Sequence, residues 1–210
     1  MTVSITHCWR KARIDLVLLL LGACLVWALP SGVRAQAVAS EVTQFQLEGS
    51  SEGLLLSAAV AFELPPSIED ALLKGVSMFF VAQADVYRER WYWTDKKVAS
   101  AERSMRLVYL PLSRRWRLNV SSGSLGAIRP AVALNQSFDT LNEAMAVIQR
   151  LSRWKIAEAD EIDDRPHIVV FNFRLDVTQL PRPLQIGALG QADWSISVTA
   201  RKPYLRESSK

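Results

Sequence analysis

Val76-Ser77-Met78-Phe79-Phe80-Val81-Ala82-Gln83-Ala84-Asp85-Val86-Tyr87-Arg88-Glu89-Arg90-Trp91-Tyr92-Trp93 is the stretch on which the fold turns. Val76, Met78, Phe80, Ala82, Ala84 and Val86 fall at every second position. That is the period of a strand with one buried face. From Tyr87 the large apolar residues change parity, to Tyr87, Trp91 and Trp93, with no turn residue between. Such a phase change predicts a β-bulge, or a strand that passes between two packing environments. The stretch is read as one long strand, Val76 to Trp93.

On its C-terminal side, Val98 to Leu110 returns antiparallel with Ala99, Ala101, Met105, Leu107 and Tyr109 inward. Pro111-Leu112-Ser113-Arg114 supplies a turn, the proline contributing its fixed φ. Trp116, Leu118 and Val120 then alternate with Arg115, Arg117 and Asn119, which completes a three-strand meander. Ser121 to Gly126 reads as a loop, and Ala131 to Leu134 as a strand kept at an edge by Pro130. On the N-terminal side, Val42 to Leu47 is a short strand, and Leu54 to Leu64 alternates cleanly. Pro65-Pro66 ends that run, and Ser67 is read as the cap of a short helix reaching Lys74, with Gly75 as its stop.

Farther on, Leu141, Ala144, Met145, Ile148 and Leu151 keep helical spacing and predict a long helix, Ser137 to Ser152, laying one stripe on a sheet. Trp154 to Ile162 is ambiguous. Ile168 to Val177 and Ala192 to Ala200 read as strong strands, Leu180 to Gly190 as a loop, and the charged tail from Arg201 as loose. The expected class is α+β and mainly antiparallel β. It is a sandwich-like meander of seven or eight strands with one short and one long helix.

The first residues carry a different signal. Arg10, Lys11 and Arg13 precede an apolar run from Ile14 to Leu29, and small residues follow at Ala35 and Ala37. This order is that of a secretory leader cleaved after Ala35 or Ala37. The chain is therefore divided into a leader (1–35), one exported β-rich domain (38–203) and a loose tail (204–210). Leu21-Gly22-Ala23-Cys24 leaves a second route open, membrane attachment by lipidation of Cys24, and an uncleaved anchor is a third.

Cleavage changes the chemistry available. Four of the 25 basic residues and one of the 21 acidic ones precede Gln36, leaving 21 against 20, or +1. The basic character of the whole chain thus belongs mostly to the leader, and nucleic acid is not an expected partner. Both cysteines, Cys8 and Cys24, lie there too, so the exported domain has no disulfide, thiolate nucleophile or cysteine metal site. His167, the one remaining histidine, is read as a solvent-facing residue at a strand start. With no glycine-rich phosphate loop and no serine elbow, no cofactor, no metal and no catalytic residue is assigned.

One local feature exceeds this background. Between Arg88 and Arg117 nine Lys/Arg face only Glu89, Asp95 and Glu102, a local +6. Arg88, Arg90, Arg114, Arg115 and Arg117, beside Trp91, Tyr92 and Trp116, make up a candidate binding band. Guanidinium beside aromatic rings suits recognition of carboxylate or phosphate. The acidic run Glu158, Asp160, Glu161, Asp163 and Asp164 lacks the spacing of a calcium loop and reads as a solvated loop.

Three segments together, Leu73–Phe80, Tyr87–Trp93 and Tyr109–Leu118, resemble the bacterial family termed domain of unknown function 4390, with Asp193-Trp194 fitting as well. The resemblance covers about Gln44 to Pro203. It implies a short exported protein of Gram-negative bacteria, with genes near a membrane sensor kinase of the nitrogen-regulation type. It carries over no catalytic or ligand-binding residue. The expectation is a non-enzymatic envelope module that contacts a membrane protein, such as that kinase, or an anionic membrane surface. The alternatives are a carrier of an apolar ligand, or a hydrolase using Asp85, Glu89, Asp160 and Asp164.

Overall fold

The computed structural model describes residues 40–90, 92, 94–124, 132–182, 184–185 and 194–206. The leader, Cys24, both cleavage positions, Trp91, Trp93 and the last four residues lie outside them.

Among the described residues, nine strands form two antiparallel sheets. The smaller has the order β1 (Glu41–Ser50), β2 (Gly53–Ala61), β7 (Arg150–Glu158). The larger contains β3 (Met78–Arg88), β4 (Lys96–Leu110), β5 (Arg115–Ser124), β6 (Val132–Phe138), β8 (His167–Leu175) and β9 (Ser197–Tyr204). Its order is β6-β5-β4-β3-β8-β9, so the expected meander is present and continues to β6. The two sheets face each other, because their central strands bury mainly one parity. Met78, Phe80, Ala82, Ala84 and Val86 are buried from β3, and Val169, Phe171, Phe173 and Leu175 from β8. Opposite them, Leu54, Leu56, Ala58 and Val60 are buried from β2, and Phe62 from just beyond it. Phe62 bridges the layers, with its ring 5.8 Å from Phe80 and 5.4 Å from Phe173. Phe45 of β1 does the same against Phe171 at 5.9 Å.

A register irregularity falls at the expected place but on the partner strand, while β3 itself keeps its alternation against β8 through Arg88. Trp91 and Trp93, on which the parity change also rests, lie outside the described residues. The β3–β4 register is irregular between Val86 and Tyr87: Val86 pairs with Ala99, Tyr87 with Lys97, and Val98 is the extra residue. The long strand Val76–Trp93 is shorter than expected, since β3 ends at Arg88 and Tyr92 lies in a turn.

Among the described residues, two α-helices join strands of one sheet to strands of the other. In α1 (Pro66–Leu73), Ser67 makes no cap, and its hydroxyl is buried without a hydrogen bond. Pro65 holds the cap position, and a proline at the first helical turn needs no amide partner. The stop at Gly75 is as expected. At φ 82° it lets its own N–H reach Leu72 O at 2.8 Å and that of Val76 reach Ala71 O at 3.0 Å. The long helix Ser137–Ser152 is corrected to α2, Leu141–Ile148. Thr140 caps it by accepting the Glu143 N–H. Ser137 and Phe138 belong to β6, and Leu151 to β7.

Other boundaries also move. Ser121–Ser124, expected as loop, extends β5. The last strand runs Ser197–Tyr204 rather than Ala192–Ala200, so Arg201–Tyr204 is paired with β8 rather than loose. Among the described residues no helix is long and apolar enough to cross a membrane.

Candidate functional site

The expected Arg band is not one surface. Arg88 pairs with Lys96 at one end of β4, and Arg115 with Leu110 at the other. At about 3.3 Å per residue that separation is on the order of 40 Å. Arg88 is committed locally, its Nε 3.2 Å from Asp163 Oδ2. Arg90 is exposed beyond the end of β3, and Tyr92 is exposed as well. Arg114 occupies the β4–β5 turn at φ 53°, and Arg115 pairs with Asp139 at 3.1 Å. Arg117 is exposed on the outer face, whereas Trp116 is buried on the inner one and packs tilted against Tyr109, ring centroids 4.8 Å apart. Trp116 therefore cannot share a surface with Arg115 and Arg117.

Arg88 instead joins a small buried cluster. His167, expected to face solvent, has no exposed surface. It starts β8, where it pairs with Arg88 on one side and Tyr204 on the other. Its Nε2 lies 3.5 Å from Asp163 Oδ1, and Asp163 also meets Arg165 at 3.4 Å. Burial pushes the imidazole below its usual pKa, against weaker upward pulls that include the Asp163 charge. Part of the acidic run thus pairs with the basic strands, while Glu158 pairs with Lys155.

A cation that sequence reasoning grouped with the outer band lies on the inner face. Arg103 shares the parity of Ala101 and Met105, both buried. Its direct neighbours across the sheet are Ala82 of β3 and Ser122 of β5. Small residues (Ala82, Ala84, Ala99 and Ala101) floor this region, which leaves room above them for a long side chain. Arg103 Nε donates to Ser122 Oγ at 3.0 Å. Its guanidinium carbon sits 5.1 Å from the ring centroid of Trp154, a residue 4% exposed. Trp154 arrives there because β7 is bulged. Leu56 pairs with Trp154 but Ala58 with Leu151, so three residues of β7 oppose two of β2, and the strand's inward phase changes from Leu151 to Trp154. Arg153 takes the strain at φ 45°.

Around this pair is an open cleft of about 740 Å³. Lys97 to Ala101 of β4 line one wall and Trp154 to Glu158 of β7 the other, with Arg103, Ser122 and Gly123 between and Glu161 at the end of the β7 wall. No carboxylate lies within ion-pair distance of Arg103 among the described residues, and its two terminal nitrogens have no protein partner there. Burial alone pulls its pKa down from the ordinary arginine value, and the group stays charged at neutral pH. A second cleft of about 730 Å³, beside the β1–β2 hairpin and β9, is different. Its cations are already engaged by carbonyls, Lys202 with Phe45 O, and Arg206 with Ala159 O and Ile162 O. The signal that could have found Arg103 was parity: a charge at an inward position in a run of alanines.

Of the carboxylates, Asp85 is tied on the outer face to Ser100, Gln83 and Lys97. Glu89, Asp160 and Asp164 are exposed. Among the described residues no group of three or more His, Cys, Asp or Glu could hold a metal ion.

No curated protein and no solved structure matches the chain. The family model of the domain of unknown function DUF4390 matches residues 37–202, the whole two-sheet unit as far as Lys202 of β9, and the chain belongs to that family.

Proposed function

We propose that this protein is an exported, non-enzymatic binding module of the bacterial cell envelope, and that its site is the Arg103 cleft. The observation that carries the reading is a guanidinium held by Trp154 and Ser122, open to the cleft, with no carboxylate of its own. Burying a charge is unfavourable unless a partner meets it. A visiting carboxylate or phosphate supplies the missing partner and gains charge-assisted hydrogen bonds in a partly dry setting. The leader-like residues 1–35 support export. Among the described residues, the dispersal of Asp85, Glu89, Asp160 and Asp164 supports binding rather than hydrolysis. The aromatic rings packed between the sheets fill the space that an apolar cargo would need.

The partner that the family resemblance favours is a membrane protein of the envelope, a sensor kinase being one example. An anionic membrane surface is a second partner, served by Arg114, Arg115 and Arg117 at the far end of β5. Crosslinked capture from the native envelope separates the two. Wild type, Arg103→Gln and Arg114→Glu/Arg115→Glu/Arg117→Glu are compared, each checked for folding, with fractionation to locate the protein. A protein partner lost only with Arg103→Gln supports the cleft. Recovery unchanged in both variants, or a protein confined to the cytoplasm, overturns the reading.

A further inference from the structure

We infer that the occupant of the cleft is an extended, acidic peptide segment that adds as a strand to the outer edge of β7 and places a carboxylate on Arg103. This rests on the reading of Arg103 as an anion site. The edge is available: β7 pairs with β2 on one side and with no strand on the other among the described residues. The cleft has the shape of a strand. Its walls are consecutive residues of two strands, Lys97–Ala101 and Trp154–Glu158, so it runs alongside the edge for roughly 16 Å, or about five residues. A globular headgroup would contact neither wall along its length, whereas an extended chain satisfies the backbone groups of β7.

The chemistry of the cleft selects further. Lys155 and the bulges of β7 discourage indiscriminate edge pairing. Arg103 lies on the floor between the walls, within reach of a side chain pointing inward from an added strand. Lys155 and Glu158 already pair with each other on the rim, and Lys97 with Asp85. Glu161, also on the lining, accepts the Glu158 N–H at the end of β7. The cation left without a carboxylate among the described residues is Arg103, which asks for one acidic side chain at an inward position, away from the Glu161 end. Trp154 covers one face of the guanidinium and leaves its edge to form a fork with a carboxylate. Specificity then has two parts: backbone pairing along β7, and one Glu or Asp in register with Arg103.

The probe is a library of short peptides that alternate β-branched with randomised residues around one fixed central glutamate. Peptides selected on the folded domain are measured by fluorescence anisotropy, beside a central Glu→Gln version and a version N-methylated at alternate amides. N-acetylglutamate serves as a small-molecule probe, read by the Arg103 Nε–H resonance. The expected result is binding weakened at least about tenfold by Glu→Gln in the peptide, and similarly by Arg103→Gln in the protein. N-methylation should abolish it. Binding that survives N-methylation overturns strand addition. So does the recovery of no peptide while N-acetylglutamate still moves the Arg103 resonance, an outcome that leaves the anion site standing. If neither peptide nor N-acetylglutamate perturbs Arg103, both readings fall. Should Arg103→Gln fail to fold, the N-methylated and Glu→Gln peptides still decide, because they leave the protein unchanged.

Discussion

The backbone N–H of Arg153 donates to the Ser57 hydroxyl at 3.0 Å, and this bond closes the β7 bulge that turns Trp154 inward. A non-glycine residue at φ 45° carries roughly 1–2 kcal/mol of steric cost. The Ser57 bond and the exposed Arg153–Glu48 ion pair at 3.0 Å hold it there. Ser57→Ala is expected to lower the unfolding free energy by about 1 kcal/mol in urea titrations. It should also broaden the Trp154 indole resonance, as the ring loses its fixed place over Arg103. A sharp, unmoved resonance would mean that the bulge does not depend on Ser57.

Arg103 works against the stability of the fold it sits in. Methionine has a similar reach, keeps a favourable contact with the Trp154 ring and needs no counter-charge. Arg103→Met is therefore expected to be neutral or to raise stability by up to about 1 kcal/mol, as replacing buried charge often does. The same change should remove the response to N-acetylglutamate. Strong destabilisation by Arg103→Met would assign Arg103 a structural role instead.

His167 makes stability depend on pH. Burial lowers its folded-state pKa from the ordinary 6.5, so the unfolded chain takes up a proton more readily than the native one. Stability is then complete above 6.5 and falls as pH drops through that value, until the folded state also protonates. The slope contributed by one such group is at most about 1.4 kcal/mol per pH unit. Denaturant midpoints between neutral and mildly acidic pH should show this loss, and His167→Gln should flatten it. An equal slope in both proteins would place the titration elsewhere.

Two glycines separate strain from collision. At Gly75, φ 82°, an added Cβ has open space apart from Tyr109 O at 4.0 Å. Gly75→Ala is expected to cost about 1 kcal/mol through the left-handed conformation alone. At Gly53, φ 132°, the added carbon would also overlap the Ala157 carbonyl oxygen. Gly53→Ala should cost more than about 2 kcal/mol and shift β2 against β7. Equal midpoints for the two variants would contradict the difference in crowding.

What the amino-acid sequence discloses here is parity. The alternating sets in β2, β3, β4 and β8 were legible because these strands bury mainly one face against a second sheet, β8 without a break. β7 was not legible, and its register shows why. Two irregularities, on either side of the Leu55–Lys155 pair, break the alternation from Leu151 through Trp154 to Ala157. The overlong helix has a related cause. Leu151 falls at helical spacing from Ile148, yet it is buried as the second residue of β7, so two periodicities coincide across a boundary. His167 was read as a surface residue from its place at the start of a strand. Its burial comes from β3 and β9 on either side, far away in the chain. The Arg band failed as a surface because a fifteen-residue strand, β4, carries its two ends apart.

The order of the strands also has a consequence for how the molecule is made. β2 is paired on one side by β1, its neighbour in the chain, but on the other by β7, with Leu56 opposite Trp154. Closing that pair spans about a hundred residues, a slow kind of contact compared with the hairpins of the meander. A ribosome must therefore have finished four successive hairpin strands before the smaller sheet has its third member. Arg103 and Ser122 can stand side by side early, while the ring that covers them arrives late. The cleft is thus a late feature of the fold, closed only once β7 has joined, and a chain that offers Arg103 without Trp154 is one still on its way.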